Sequence, residues 1–355
     1  ERYGAWYEGR GQYLHAMAAY RRCGDYDALL RVVQEDAGIL LASLPPSEVP
    51  AALDECPADA LKAHPFALLV LMRSMFNWRN IPKMLELKAL LLAALEEHPE
   101  LPAEERGNLL GECDLIMSFL CYNDISAMSR LHRSASAQMS RPAISIRSSG
   151  GWTFGSPSVL MMFYRAPGEL AGELAEMAEC MPHYYKITNG HGQGAETIMR
   201  AEAAFVQGRF TDAHIALESA YARIEGNGQE NMALCCDFLA RRLSLHAGVQ
   251  QRCSFDERYA ALLRRHNAAW INIWSATAAY YYALRGETEL IPEIFAQHRL
   301  ASLQILAPGR PMFEMIENQV YLAQGAYAKV IGRSAELLAV CEGMHYALVA
   351  LHVRV

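Results

Sequence analysis

The 355-residue sequence has no excess of basic residues: 32 Lys and Arg stand against 39 Asp and Glu, a formal net charge of −7. With its cations scattered rather than clustered, the chain offers no electrostatic footprint for phosphate backbones, and no direct nucleic-acid contact is expected. Long apolar runs are also missing. The most apolar stretch, Trp270 to Leu284, is 15 residues long and carries Asn272, Ser275 and Thr277, short of the ~20 residues that cross a bilayer. The opening residues carry no secretory leader pattern, and the expectation is a cytoplasmic protein without a membrane span. Nine cysteines are present without a C-x-x-C pair, which fits reduced, small core residues rather than a disulfide frame or zinc knuckle.

Catalytic patterns are equally scarce. No G-x-S-x-G elbow and no G-x-x-x-x-G-K-[ST] loop occurs, which removes the usual signatures of an α/β-hydrolase nucleophile and of a phosphate cradle. His191 and Glu196 stand five residues apart across Gly192 and Gly194, off the i, i+4 helical register and without a third ligand, so no metal is expected. Glu96, Glu97, Glu104 and Glu105 flank "HPELPA" and read as a solvated turn between helices. Neither an enzyme nor a bound cofactor is expected.

What the sequence does contain is a repeat. Related words occur as "GQYLHA" at Gly11, "NDISAM" at Asn123, "GRFTDA" at Gly208, "GETELI" at Gly286 and "GAYAKV" at Gly325, with weaker versions at Trp78, Arg165 and Gly248. From Gly208 through Gly248 and Gly286 to Gly325 the steps are 40, 38 and 39 residues, a period typical of helical arrays. Apolar residues at helical spacing precede each joint, as in "AETIMRAEAAFVQ", and follow it, as in "AHIALESAYARI" and "IPEIFAQHRL", so the repeating unit is a helical hairpin. The expected fold is all-α, with about eight hairpins in one repeat domain over residues 1–355. The chain begins at Glu1 rather than Met and stops at "ALVALHVRV", and the expectation is a fragment of a longer protein.

The order Gly4, Tyr7, Gly11, Tyr13, Ala16, Tyr20 and Cys23, repeated by Ala201, Ala204, Gly208, Phe210, Ala213, Leu217 and Ala220 and more loosely by Ala279, Tyr282, Gly286, Ile291 and Phe295, resembles the tetratricopeptide repeat. That resemblance implies a right-handed superhelix, an α-solenoid, with first helices lining a concave face. Each unit is several residues longer than the ~34-residue standard, so the hairpins must have longer helices or loops.

The opening "WYEGRGQYLHAMAAYRRCGDYDALLRVVQED", with joints at Gly11 and Gly24, together with "GSPSVLMMFYRAPGEL", "HYYKITNGHGQGAE" and "AEAAFVQGRFTDA", resembles the sensor superhelix of large LuxR-type, MalT-like transcription activators. The resemblance implies a ligand-sensing and signal-coupling region that works with an ATPase and a helix-turn-helix domain outside this sequence, the partners being a small-molecule inducer and those other domains. A scaffold that binds a peptide or partner helix, with self-association among its uses, is the alternative. An all-helical enzyme is a third reading without a recognisable nucleophile behind it.

Two segments break the hairpin pattern, residues 144–158 and 181–196, and long irregular connections in a compact array often carry function. They flank one hairpin, whose first helix is predicted to start at Pro157 with Ser156 as its cap and whose second is predicted over Glu169 to Met181. An antiparallel hairpin would bring both segments to one edge, gathering Trp152, Phe154, His183, Tyr184, Tyr185, Asn189, His191 and Gln193 as a rim suited to a polar or sugar-like ligand. The competing reading is that these aromatics fill the interface between repeats. On the concave face the tetratricopeptide resemblance places Glu202, Phe205, Tyr280 and Gln319 as further ligand contacts. Aromatic and methionine runs such as Tyr280 to Tyr282, or Met312 with Met315, are more commonly core.

Overall fold

The computed structural model describes residues 1–36, 48–146, 150–248, 252–265, 267–303 and 305–355, and among them every regular element is helical. The chain divides into two compact units, Glu1–Cys121 with Ala127–Arg147 and Lys186–Asn189, and Tyr122–Ser126 with Ser148–Tyr185 and Gly190–Val355.

Joint chemistry explains the helix ends. The glycines at Gly11, Gly24, Gly208, Gly248, Gly286 and Gly325 have φ between +65° and +75°, the left-handed region that other residues avoid. At Gly208 a Cβ would meet nothing within 4 Å, so conformation rather than crowding calls for glycine there. The Gly208 N–H reaches Phe205 O and the Arg209 N–H reaches Ala204 O, both at 2.9 Å, the paired closure that satisfies the last carbonyls of a helix. Gly11, Gly24, Gly286 and Gly325 close in the same way. So do Arg79, His298 and His345, with φ of +60°, +56° and +56° and no glycine.

In the first unit run α1 (Arg2–Glu8), α2 (Tyr13–Cys23), α3 (Tyr26–Asp36), α4 (Glu48–Glu55), α5 (Ala58–Lys62), α6 (Pro65–Asn77), α7 (Ile81–Glu97), α8 (Ala103–Ser118) and most of α9 (Ile125–Gln138). Helix α6 is the centre: residues 67–72 are all buried, and α3, α5, α7 and α8 pack on it. Gly4 has the crowding role its place in the repeat suggests, since a Cβ there would sit 2.5 Å from the Tyr20 ring. The buried Glu112 carboxylate accepts from Arg141 Nη1 at 2.6 Å and from the Ile144 and Ser145 N–H groups at 3.2 and 2.8 Å, while Arg73 donates to Ser145 O. These bonds fix the start of the irregular 144–158 segment, of which residues 147–149 lie outside the described residues.

The second unit holds α10 (Val159–Phe163), α11 (Leu170–Ile187, its last turn excepted), α12 (Ala195–Val206), α13 (Phe210–Ile224), α14 (Glu230–Ala247), α15 (Phe255–Leu263), α16 (Ala268–Arg285), α17 (Glu293–Ala296), α18 (Arg310–Ala323), α19 (Tyr327–Gly343) and α20 (Ala347–Arg354). Alternate helices form a circuit: α10, α12, α14, α16, α18 and α20 each pack on the next, and α20 packs back on α10. In a solenoid each repeat meets only its neighbours, so this return contact is a departure from that plan. At the seam the Ala347 N–H donates to Tyr164 O at 3.1 Å, and the buried Asn123 amide nitrogen lies 2.9 Å from Met162 O and 3.2 Å from both Met344 O and His345 O. Two amide hydrogens thus serve three carbonyls.

Three boundaries differ from expectation. Helix α10 is capped by Ser158, whose Oγ accepts from the Met161 N–H at 3.0 Å; Ser156 is engaged instead with Ser158, its hydroxyl donating to Ser158 O at 2.8 Å. Helix α11 passes Met181 and runs through Pro182 to Ile187, because Met177, Cys180, Met181 and Tyr184 form one buried stripe whose burial offsets the ~3 kcal/mol cost of an internal proline. Beyond Gly286 the expected helix over 291–300 shrinks to α17 between two short 3-10 turns, Thr288–Leu290 and Leu300–Ser302. Pro292 holds Ile291 extended (φ −65°, ψ 129°) before α17 and left-handed His298 follows it.

Opposite effects are expected at two joints. Gly208→Ala should lose about 1–2 kcal/mol to left-handed strain, whereas Arg79→Gly, at an exposed joint, should gain about 0.5–1 kcal/mol. Urea melts of the two variants check both signs.

Candidate ligand-binding site in the second unit

The two irregular segments do meet, through close packing. Trp152 is 6 % exposed, stacks on Phe163 with centroids 4.8 Å apart, and covers Gly192 so closely that a Cβ there would lie 2.4 Å from the indole. Asn231, near the start of α14, holds this segment: its Oδ1 accepts from the Trp152 and Thr153 N–H groups at 2.7 and 3.1 Å. Gln229 does the same for the other segment, accepting from the Gly192 N–H at 3.0 Å. Phe154 is left-handed (φ +50°), and its carbonyl lies 2.6 Å from where a Gly309 Cβ would stand, at the start of α18. Residues 152–158 therefore cross the N-terminal ends of α12, α14 and α18 like a plug.

The remaining rim residues are distributed around this packing. Tyr184 and His191 are buried and share a 2.7 Å hydrogen bond, and burial raises the Tyr184 phenol above its ordinary range. Tyr185 donates to Glu196 Oε2 at 2.5 Å, and Arg223 reaches the other oxygen of that carboxylate at 2.8 Å. Both Tyr184 and Tyr185 lie on the extended α11, together with the half-buried His183, rather than in a loop. Asn189 is exposed and left-handed (φ +52°), and Gln193 accepts from Asn227 at 3.4 Å.

Of the positions assigned to a concave face, Glu202 is 0 % exposed and Phe205 and Tyr280 are each 8 % exposed; Gln319 is half-buried on α18. Glu202, on α12, directs Oε2 at the start of α10, accepting from the Leu160 N–H at 2.8 Å. Its Oε1 faces Nη1 of Arg242, on α14, at 3.9 Å, too far for a hydrogen bond. Among the described residues neither of these two atoms has a hydrogen-bond partner, and Arg242 is only 4 % exposed. The guanidinium carbon of Arg242 lies 4.4 Å from the Phe205 ring centre and 5.4 Å from that of Phe238, and Tyr280 meets Phe238 edge-on at 5.3 Å.

Burial holds the Glu202 carboxyl above the usual carboxylate range, opposed by the Arg242 charge and the donors at the start of α10. His352, on α20, is held below the ordinary histidine range by burial and also by the charge of Arg242; its Nδ1 lies 2.8 Å from Leu348 O. The chemistry of this interior is thus one guanidinium with unspent donors, a carboxyl biased toward its neutral form, and a neutral imidazole, between aromatic faces. Among the described residues no group of His, Cys, Asp and Glu is arranged to hold a metal ion, and no helix is long and apolar enough to cross a membrane.

Sequence reasoning missed Arg242 and His352. Arg242 carried a signal, because Cys235, Phe238, Leu239 and Arg242 fall at i, i+3, i+4 and i+7 on the buried stripe of α14, where a cation is out of place.

A raised carboxyl pKa means that the folded state loses stability as pH rises through that pKa. Glu202→Gln cannot ionise, so its melting temperature should gain on the wild type as pH rises from about 4.5 toward neutrality, the gain disappearing in acid. A pH-independent difference between the two proteins would contradict this. Asn231→Ala should cost about 2–4 kcal/mol by stranding two buried N–H groups, which chemical denaturation measures. Compared with known proteins, the chain matches no protein-family model, no curated protein and no solved structure.

Proposed function

We propose that this chain is the ligand-sensing and signal-coupling helical-repeat region of a cytoplasmic LuxR-type, MalT-like transcription regulator, acting with an ATPase and a DNA-binding domain elsewhere in the same protein. The reading draws on the joint-bearing words of the sequence and on one structural observation, the buried Glu202–Arg242 pair. Two ionisable groups on adjacent inner helices have been taken out of water with their facing atoms unbonded, an arrangement that costs stability unless something else engages it. Such groups cluster where ligands bind. A ligand bridging them would tie α12 to α14 and, through the Glu202–Leu160 bond, to α10 at the seam with α20. Ligand binding could then select one packing of the circuit, the event that neighbouring domains would read.

A second reading, a scaffold for a peptide or partner helix, is favoured by the outer face of α19, where Tyr327 and Ile331 are 62 % and 75 % exposed one turn apart. Such a partner would use the outside of the second unit rather than its interior.

Two measurements test the regulator reading. A metabolite and sugar panel should yield a saturable rise in melting temperature, about 2.7 kcal/mol of stabilisation at a ligand concentration 100 times Kd. The open reading frame containing this chain should also encode a phosphate-binding loop and a helix-turn-helix. A silent panel together with peptide binding that Ile331→Asp abolishes would favour the scaffold, and a frame without either domain would sink the regulator reading.

A further inference from the structure

Arg242 differs from Asn231, Gln229 and Glu317 of the second unit in having a buried polar atom without a hydrogen-bond partner among the described residues. Asn231 spends its acceptor on the Trp152 and Thr153 N–H groups, and Gln229 spends its own on the Gly192 N–H. Glu317, 4 % exposed, is paired with Arg333 at 2.5 Å. Arg242 has a carboxylate oxygen no nearer than 3.9 Å and two aromatic rings against its face. A guanidinium carries five N–H donors in a planar fork that matches two oxygens of one acid group, and aromatic contact leaves the in-plane donors unspent. Glu202 does not complete the match, because its Oε2 is committed to the Leu160 N–H. The location also suits entry: Arg242 lies on the last two turns of α14, and Val206 and His246, next to Phe205, are exposed.

Resting on the ligand-sensing reading above, we infer that Arg242 is the anchor for the oxyanion head, carboxylate or phosphate, of a small organic ligand, held between Phe205 and Phe238 inside the second unit. The fork donates two parallel charge-assisted hydrogen bonds to the acid group, and the rings cover the ligand's apolar body. Glu202 is the specificity element: its carboxyl opposes the incoming anion when ionised and so penalises heads that cannot use the whole fork.

The test titrates the chain with inorganic phosphate and, separately, with succinate, each against chloride at matched ionic strength, reading melting temperature and binding heat. A saturable response to one of them is expected, and which one responds identifies the head group. Arg242→Gln should weaken binding at least tenfold, Arg242→Lys should weaken it less because a point charge replaces the fork, and Glu202→Gln should tighten it severalfold by removing the opposing charge. The Lys variant carries the test where the Gln variant does not fold. The inference is overturned where neither anion does more than chloride, or where both Arg242 variants bind like the wild type. A neutral sugar that binds while both anions fail would sink this inference and leave the sensing reading standing; anion binding in a frame lacking regulator domains would do the reverse.

Discussion

Reversal of the chain at a helix end constrains everything else in this protein. A helix finishes with orphan carbonyls that must be satisfied, and a hairpin array must turn within a few residues. One left-handed residue meets both needs, since its own N–H closes on the carbonyl three back and the next N–H on the carbonyl five back. At Gly208 this delivers Phe210 to the elbow, where it lies 5.6 Å from Phe205, and sets α13 against α12 with Ala213, Leu217 and Ala220 buried. At His345 the same closure launches α20, whose first N–H group then bonds Tyr164 O. The return contact of the second unit is thus built from the same joint as its ordinary hairpins.

This dependence also explains which parts of the fold were legible in the sequence. Glycine joints announce themselves, because few other residues tolerate φ near +70°. Arg79 and His345 make the same turn with exposed side chains, so composition gives no warning of them. The end of α11 was misjudged for a related reason: Pro182 is a strong local stop signal, yet the buried stripe through Met177, Met181 and Tyr184 carries the helix past it. At α11 local propensity lost to tertiary burial.

The candidate site was partly legible. Glu202, Phe205 and Tyr280 were picked out by their places on first helices, and they do lie in one interior region with Arg242. What sequence could not convey is that α20 returns to α10 and that Glu202, Phe205 and Tyr280 are buried. Trp152 and the glycine-rich turn at 188–194 were recognised as irregular, but their partners, Asn231 and Gln229, are about 80 and 40 residues away in the chain. Contacts of that range follow from the course of the helices and leave no local pattern.

Glu202 links the two halves of this picture. One of its oxygens is an acceptor for the start of α10, and the other faces Arg242; α10 in turn is the helix on which α20 closes. A change in the charge or orientation of that carboxyl alters the bond it makes to the Leu160 N–H. The magnitudes bound how far such a device can act. Moving a two-state equilibrium from 1:99 to 99:1 takes about 5.5 kcal/mol of differential affinity, whereas a hydrogen bond to a charged group contributes about 1.5–3 kcal/mol net. A single contact to Arg242 would shift the packing only partway. On the proposed sensing reading, a bidentate head together with aromatic cover from Phe205 and Phe238 would reach the required range, so the fork geometry of Arg242 would matter beyond its charge.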